Sequence, residues 1–531
     1  MGCQRLIITR RNAAVMELFR SHPSEYRSSH YETKRTLIKS RSNQRNRANH
    51  LRRRVDALET ENQQLRRSVK YAEEQLRLNR QLQQTENATC SVHSTPPGNP
   101  LLSDLPIRGH QFAAKMIALC INLAKQIGFR PARRALQTVL DALRLDIKVP
   151  SHDAIRNWTC RVGVGELENT FHQDQDVLWM ADHSSQIGTE KVLLIIGIAV
   201  EDLPQPGQTL SLENVKVLAI VPGQRWKKED VAREYKKLAK RIGAPRYLLS
   251  DGAIELREPA ESLEKDGRKT IVLGDLKHHA ANVLEKQIGR SDRFKEFISQ
   301  VGLTRNRVQQ TELSHFVPPP LKQKSRFMNL EPLLRWAAMV NHHLGDAHSK
   351  ARVGITADRM NEKLGWLRDY RDDLTCWGAC QKVIDTALSF INSEGLSRDT
   401  SDRMRGLLDD AIRGLDRNET TNRVAACLVE FAERSERQLE DGERAWLSTE
   451  ILESLFGQFK QLEGQHSKGG FTSLLAALPS LCCRVDAKRV RSRLLQVPTT
   501  KLKQWVRENI GQTLTARRAK AYHEYATTTT G

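Results

Sequence analysis

The feature that most constrains the fold is a pair of apolar runs between residues 177 and 200, separated by a short polar segment. VLWMA at 177–181 and KVLLIIGIAV at 191–200 have the length and the apolar, β-branched character of buried strands. Asp182 stands where the first run stops, and burying a carboxylate at the mouth of a core strand is costly unless something binds it. We therefore expect a strand-rich core at this point and a function for Asp182.

The composition favours a polyanionic partner. The chain has 531 residues, which is too long for one core, so several domains are expected. It carries 84 Lys and Arg against 63 Asp and Glu, a net charge of +21, and the basic residues are clustered. Clustered positive charge favours nucleic acid as the partner. No apolar run of the sequence approaches the ~20 residues that span a bilayer, and no phosphate-binding glycine pattern is present. Neither a membrane nor a nucleotide cofactor is expected.

The first 106 residues predict a basic arm, a dimerising helix and a linker. Residues 1–50 form the arm, with nine Lys or Arg and no acid between positions 34 and 54. A heptad seam runs from Leu51 to Leu76 within residues 51–87, with Asn62 at an a position, which is a common device for fixing a parallel dimer. We predict a homodimer through a coiled coil at 51–76. The alternative is an amphipathic helix that packs on its own chain. Residues 88–106 are rich in Ser, Thr, Pro and Gly and predict a linker.

Residues 107–170 predict a helix-turn-helix DNA-binding domain. Two amphipathic helices and a short break precede a helix that Ser151 is placed to cap. In such a motif the second helix presents its N-terminal part to base edges, while neighbouring basic side chains reach phosphates. Helical hairpins without DNA share the pattern. The candidate DNA contacts are Arg133, Arg134, His152, Asp153, Arg156, Asn157 and Arg161.

Residues 171–290 predict an α/β region. A third apolar run at 215–221 follows the first two closely, which predicts an antiparallel meander. A helix at 227–243 leads to a fourth strand that ends in Asp251, and a fifth strand ends in Asp275 before a helix with His278. Only amphipathic helices are indicated in 291–444, as in an all-α insertion. Residues 445–480 predict a last core helix, and 481–531 a basic tail.

Three acids form a candidate constellation. Strands one and four are expected to be neighbours, so Asp182 and Asp251 would meet at one edge of the sheet. Two adjacent carboxylates repel each other unless a cation lies between them, and all-oxygen ligands suit Mg²⁺ or Mn²⁺. With a third acid, such residues can hold two ions about 3.5–4 Å apart, an arrangement suited to phosphoryl transfer.

The ordered motifs resemble an RNase H-like DDE transposase of the bacterial insertion-sequence type. They are Asp182 in WMADHSSQIG, Asp251 in YLLSDGA, and STEILESLFGQFK, over residues 107 to about 480. The helical insertion is similar to that of hAT- and Mutator-type transposases, and DLKH at 275–278 resembles their (C/D)xxH motif. The resemblance implies a multidomain α+β chain, in which the RNase H-like α/β core is interrupted by an all-α insertion. The coiled coil and the helix-turn-helix domain precede that core.

The same resemblance implies the chemistry and the residues that perform it. The enzyme would bind transposon ends, hydrolyse a phosphodiester with Mg²⁺ or Mn²⁺, with two ions expected, and join the freed 3′-OH to target DNA. Asp182, Asp251 and Glu453 would be the catalytic metal ligands, and His278 would orient a carboxylate or a phosphate. Glu453 is preferred because Phe456 and Lys460 follow it; Glu450, one turn earlier, is the alternative.

Two other hypotheses about the function remain beside the transposase hypothesis. A DNA-binding regulator, or a domesticated transposase without cleavage activity, is indicated by the basic run that leads into the heptads. A different RNase H-like nuclease, such as a resolvase, would hydrolyse DNA without end joining. Nine scattered cysteines without a CxxC pair favour a reducing compartment, so we expect a cytoplasmic, nucleoid-associated bacterial protein.

Overall fold

The computed structural model of the chain describes most of residues 107–511, all within the compact unit Asn99–Gly531. The gaps are residues 108, 184–190, 224, 321–326, 328–329, 346–355, 414–417 and 465–472; positions 521, 522 and 525 are also described. The predicted arm, coiled coil and linker at 1–50, 51–87 and 88–106 lie outside the described residues.

A five-stranded mixed sheet organises the core. Its strands are β1 (Val177–His183), β2 (Lys191–Ala199), β3 (Lys216–Gly223), β4 (Tyr247–Ser250) and β7 (Ile271–Gly274). The order is β3-β2-β1-β4-β7, with β2 antiparallel to both of its neighbours and β4 parallel to β1 and β7. The predicted meander and the predicted pairing of strands one and four are both confirmed. A two-stranded ladder, β5 (Glu264–Lys265) with β6 (Arg268–Lys269), is an addition that the sequence did not indicate.

The sheet is covered on both faces, which explains its uninterrupted apolar runs. Side chains alternate along β1, so Leu178 and Met180 join the larger hydrophobic cluster while Trp179 joins the smaller one. The smaller cluster lies under α4 (Lys228–Ile242) and α5 (Ile254–Ala260). The larger cluster receives α6 (Leu276–Leu284) and α13 (Glu450–Gly464).

The remaining described elements are helical. Before the sheet come α1 (Ala114–Ile127), α2 (Phe129–Ala142) and α3 (His152–Glu168). Between the sheet and α13 lie α7 (Asp292–Val308), α8 (Glu331–Gly345), α9 (Ala357–Leu364), α10 (Arg371–Glu394), α11 (Thr400–Arg413) and α12 (Glu419–Glu436). After α13 come a 3₁₀ segment (Ser473–Cys482), α14 (Ala487–Gln496) and α15 (Thr499–Asn509). The chain is therefore a mostly helical α+β protein.

Helix α3 is a core helix, which differs from the surface position that a DNA-reading helix needs. Ser151 caps it as predicted, accepting a hydrogen bond from the Ala154 N–H at 3.1 Å. Nearly every side chain from Ile155 to Gly165 is buried, because α3 packs against the 3₁₀ segment, α14 and α15. The connection from α2 covers residues 143–151, so no tight turn joins the two helices.

The segment that joins α12 to α13 is fixed to the sheet by ion pairs. Arg246, at the start of β4, has a side chain only 7% exposed and donates to both carboxylate oxygens of Glu443, at 2.9 and 3.0 Å. Glu440 accepts from Arg246 at 3.0 Å. Such a buried pair is strongly destabilised when one partner is removed.

Within the part of the chain that the structure describes, no helix has the length and apolarity needed to cross a membrane.

Candidate active site

The parallel register of β1 and β4 places Asp182 beside Asp251. Ala181 is opposite Ser250, so the next residue on each strand is an aspartate at the carboxyl end of the pair. Neighbouring strands lie about 4.8 Å apart. Asp182 follows the alternation of Leu178 and Met180, and therefore points to the face of the sheet that α6 and α13 cover.

Each aspartate is oriented by a local backbone hydrogen bond. Asp182 Oδ1 accepts from the N–H of His183 at 2.6 Å. Asp251 Oδ1 accepts from the N–H of Ala253 at 2.9 Å, across a turn in which Gly252 has a φ of 89°. That φ lies in the region which favours glycine, so the DG pair is both a turn and the support of a carboxylate.

Asp182 lies in an environment that disfavours its ionised form, through burial first and neighbouring carboxylates second. Burial, followed by the charge of Asp251, raises its pKa from 3.8 to about 7. The His183 N–H and the charge of His278 oppose this rise, while the charge of Glu453 adds to it. The four predicted catalytic residues, Asp182, Asp251, His278 and Glu453, therefore interact electrostatically in one site. A site with this excess of negative charge favours a cation.

Asp275 connects the two helices that bring His278 and Glu453 to the sheet. Its side chain is buried and caps α6, accepting from the backbone N–H of His278 at 2.8 Å. The other carboxylate oxygen accepts from Thr449, through its N–H at 2.6 Å and its Oγ1 at 2.5 Å. Leu276 N–H also donates to Leu447 O at 2.9 Å. The start of α13 is thus held against the start of α6.

His278 is held in place by the same carboxylate. Its Nδ1 lies 3.2 Å from Asp275 Oδ1. Burial alone would lower the pKa of His278, but the hydrogen bond and charge of Asp275, together with Asp251 and Asp182, raise it overall. For Asp275, burial would raise the pKa, but the hydrogen bonds from His278 and Thr449 hold it below its usual value. His278 is thus more readily protonated than an exposed histidine, next to the two strand-end aspartates.

The choice between Glu450 and Glu453 depends on Lys277. Its ammonium group lies 3.2 Å from Glu450 Oε1 and 3.0 Å from Glu453 Oε2, so it pairs with both. Glu450 also accepts from Asn392 Nδ2 at 2.8 Å, which fixes it to α10. Glu453 has no such second anchor among the described contacts, and its charge raises the pKa of Asp182. Glu453 is therefore less constrained than Glu450, and it is the better candidate to bind a metal ion together with Asp182 and Asp251.

Among the described residues, no three His, Cys, Asp or Glu side chains are already arranged to hold a metal ion. The carboxylate ligands nevertheless suit a metal ion in part. Asp182 and Asp251 supply carboxylate oxygens at adjacent strand ends, and a bound cation would offset the burial and the Asp251 charge that raise the pKa of Asp182. Two ligands of a divalent cation therefore fit, whereas the third acid is held by Lys277.

The predicted DNA contacts fall into two groups. Arg133 and Arg134 are exposed on α2. On α3, Arg161 is buried, and its guanidinium donates to Val497 O and Leu494 O at 2.6 Å each. Arg161 therefore supports the C-terminal helices and is not placed to reach a phosphate.

The other α3 candidates are only partly accessible. Arg156 is half-buried and donates to Ser473 Oγ at 2.8 Å. His152 and Asn157 are also half-buried, while Asp153 is exposed. These four residues do not form an open basic surface.

Lys277 and Thr449 have site roles that the sequence pattern does not reveal, whereas Asp275 stands in the DLKH motif at 275–278. Asp275 at the start of a helix is a visible N-cap signal. Thr449, which donates to Asp275, and Glu453, which pairs with Lys277, lie more than 170 positions further along the chain, and no local pattern indicates such pairs.

Comparisons with known proteins give no family. No family model matches the chain, and no curated protein matches it. Among solved structures, it is similar to the Drosophila P element transposase strand transfer complex, with a TM-score of 0.35 and 13% sequence identity. The alignment covers 74% of this chain and 93% of that one. A likeness at this TM-score carries no argument, so function rests on the site itself.

Proposed function

We propose that the chain is a metal-dependent DNA-cleaving and DNA-joining enzyme of the DDE transposase class. The observation that carries the proposal is the pair Asp182 and Asp251, adjacent at the carboxyl ends of β1 and β4. The strand order β3-β2-β1-β4-β7, with β2 antiparallel, supports the RNase H-like core that the sequence motifs imply. The net charge of +21 supports DNA as the substrate.

Each residue receives a role from its position. Asp182 and Asp251 would hold Mg²⁺ or Mn²⁺, and Glu453 would be the third ligand, with Glu450 as the alternative. When bound, the cation would neutralise the carboxylates and polarise the scissile phosphate. His278, held by Asp275, would orient a carboxylate or donate a hydrogen bond to a phosphate oxygen. Lys277 must release Glu453 before three acids can act together.

The reaction would proceed in two displacements at phosphorus. Water attacks one phosphodiester, the P–O3′ bond breaks, and a 3′-OH and a 5′-phosphate are formed. The 3′-OH then attacks a phosphodiester of target DNA, so one P–O bond forms as another breaks. No external energy source is needed, which agrees with a sequence that lacks nucleotide-binding glycine motifs.

One observation favours a second function, a DNA-binding protein that does not cut. Both candidate third acids pair with Lys277, and a domesticated transposase would have no need to free either of them. Incubating the purified chain with Mg²⁺ and DNA that spans the gene and its flanks separates the two functions. Cleavage that leaves 3′-OH ends, followed by their joining to a second duplex, supports the enzyme. Hydrolysis without joining supports a resolvase-like nuclease, and DNA binding without cleavage supports the regulator.

A further inference from the structure

Helix α2 presents a basic face that packing against the described part of the protein leaves open. The helix is anchored by four buried side chains, Phe129, Ala132, Leu136 and Leu140. This anchoring fixes its rotation and leaves Arg130, Arg133 and Arg134 exposed, which we call the α2 arginine face. The helix follows α1 after the single residue Gly128, whose φ of 84° makes the sharp turn possible.

Among the described residues, the α2 arginine face lacks acidic partners. In the described part of the chain, no hydrogen bond or ion pair engages any of its three guanidinium groups. The only acid on α2 is Asp141, near the far end of the helix, where it accepts a hydrogen bond from Gln137 at 2.8 Å. Several exposed arginines of the helical region differ: Arg413 pairs with Asp410, and Arg423 pairs with Glu419. Unneutralised arginines on one face favour an anionic partner.

The shape of α2 fits duplex DNA. A helix of 14 residues is about 21 Å long, and a single helix enters the major groove. Guanidinium groups bind phosphates and guanine edges through paired hydrogen bonds. Helix α3 cannot take this place, because it is buried under the C-terminal helices and its Arg161 bonds to backbone carbonyls there.

We propose that α2 is the helix that lies against duplex DNA, through the α2 arginine face, and that α3 is its buried support. That the partner is duplex DNA rests on the proposed function, because the α2 arginine face by itself indicates only a partner with closely spaced phosphates. The sequence pattern assigns base reading to α3 and phosphate contacts to Arg133 and Arg134, so this inference moves the groove contact to the preceding helix.

The test is a binding measurement in EDTA, where no metal-dependent cleavage takes place. Fluorescence anisotropy of the full chain on a labelled 30-bp duplex, taken from the DNA flanking the gene, gives Kd at several salt concentrations. One variant changes all three residues of the α2 arginine face to alanine, and another changes them to lysine. A matched control removes three positive charges from the exposed face of α4: Arg233→Ala, Lys236→Ala and Lys237→Ala.

We expect the loss of DNA affinity to depend on where the positive charges are removed and not on how many are removed. The alanine variant weakens binding at least about tenfold near 0.15 M salt, and log Kd changes less steeply with log salt, by about 0.9 for each phosphate that the variant no longer neutralises. The lysine variant stays within about threefold of wild type, and the α4 control stays close to wild type. Circular dichroism and thermal melting of all variants match wild type, because the substituted side chains are exposed.

Two results would overturn the inference. If the alanine variant binds as the α4 control does, α2 does not lie against the DNA, although the proposed enzyme could still stand. If wild type does not bind the duplex at all, both the inference and the proposed function fail. If the alanine variant loses binding in EDTA, and wild type binds but does not cut after Mg²⁺ is added, the α2 inference stands and the catalytic proposal falls.

Discussion

Replacing Asp182 by asparagine should stabilise the metal-free protein at neutral and alkaline pH. Burial and the neighbouring Asp251 raise the pKa of Asp182 from 3.8 to about 7. Each tenfold change in an acid dissociation constant corresponds to about 1.4 kcal/mol, so the ionised carboxylate costs the folded state up to about 4 kcal/mol. Asparagine has a similar shape and no charge. We expect a gain of about 2–4 kcal/mol, because solvent that reaches the half-buried side chain reduces the penalty.

The pH dependence follows from the direction of that pKa change. Between about pH 4 and pH 7 the folded protein holds a proton on Asp182 that the unfolded chain has lost, so wild-type stability falls as pH rises. Below about pH 4 the carboxyl is protonated in both states, and the advantage of Asp182→Asn vanishes. Above about pH 7 the advantage is complete and constant.

Urea unfolding followed by circular dichroism, in EDTA at pH 4, 6 and 8, measures this difference. Asp176→Asn is a matched control, because Asp176 stands just before the same strand, with a side chain 47% exposed and paired with Lys265. A surface pair of this kind is worth at most about 1 kcal/mol. Adding Mn²⁺ should stabilise wild type and leave Asp182→Asn unchanged, since only an intact site gains from the bound ion. The reasoning is refuted if Asp182→Asn is no more stable than wild type at pH 8, or if its advantage persists unchanged at pH 4.

Three further substitutions test the supports of the site. Glu443→Gln should cost about 2–3 kcal/mol at pH 7, because the buried Arg246 then keeps only Glu440 as a charged partner. Burial would raise the pKa of Glu443, but the hydrogen bond from Arg246 lowers it to about 2. The loss should therefore shrink as pH falls from 4.5 toward 2 in urea unfolding, and a pH-independent loss would contradict the assignment. Lys277→Met should free Glu453 and tighten Mn²⁺ binding several-fold by electron paramagnetic resonance; weaker binding would show that Lys277 supports the metal site. Thr449→Val keeps the backbone hydrogen bond to Asp275 and loses the one from the hydroxyl. The free energy of unfolding should fall by about 1–3 kcal/mol. An unchanged free energy of unfolding would contradict the role proposed for Thr449.

The sheet and the aspartate pair were predictable because their signals are local. Apolar runs of strand length mark β1, β2 and β3, and their close spacing indicates an antiparallel meander. Asp182 ends an apolar run and Asp251 follows the next parallel strand, so the strand order alone brings them together. The cap of α3 by Ser151 was equally local.

The position of α3 and the pairing of the third acid were not predictable from local patterns. Helix α3 carries polar residues that suggest a surface helix, but Arg161 and Arg156 bond to groups more than 300 positions later in the chain. Likewise, Lys277 meets Glu453 across 176 positions. The hydrophobic pattern sets which face of a helix is buried, but it does not identify the distant segment that covers the helix. The predicted coiled coil lies outside the described residues and stays a prediction.

The central claim is that Asp182 and Asp251 are the catalytic ligands of a DNA-cleaving site, and the most direct test is cleavage of the flanking DNA. The measurement compares wild type, Asp182→Asn and Asp251→Asn with Mg²⁺ on a labelled duplex that spans one end of the gene and its flank. Wild type should cut the duplex and leave a 3′-OH, and EDTA should abolish this. Both variants should bind the duplex with wild-type Kd and cut it at least about a thousand times more slowly, in keeping with the loss of a metal ligand. Cleavage by Asp182→Asn at the wild-type rate, or by wild type in EDTA, would contradict the claim.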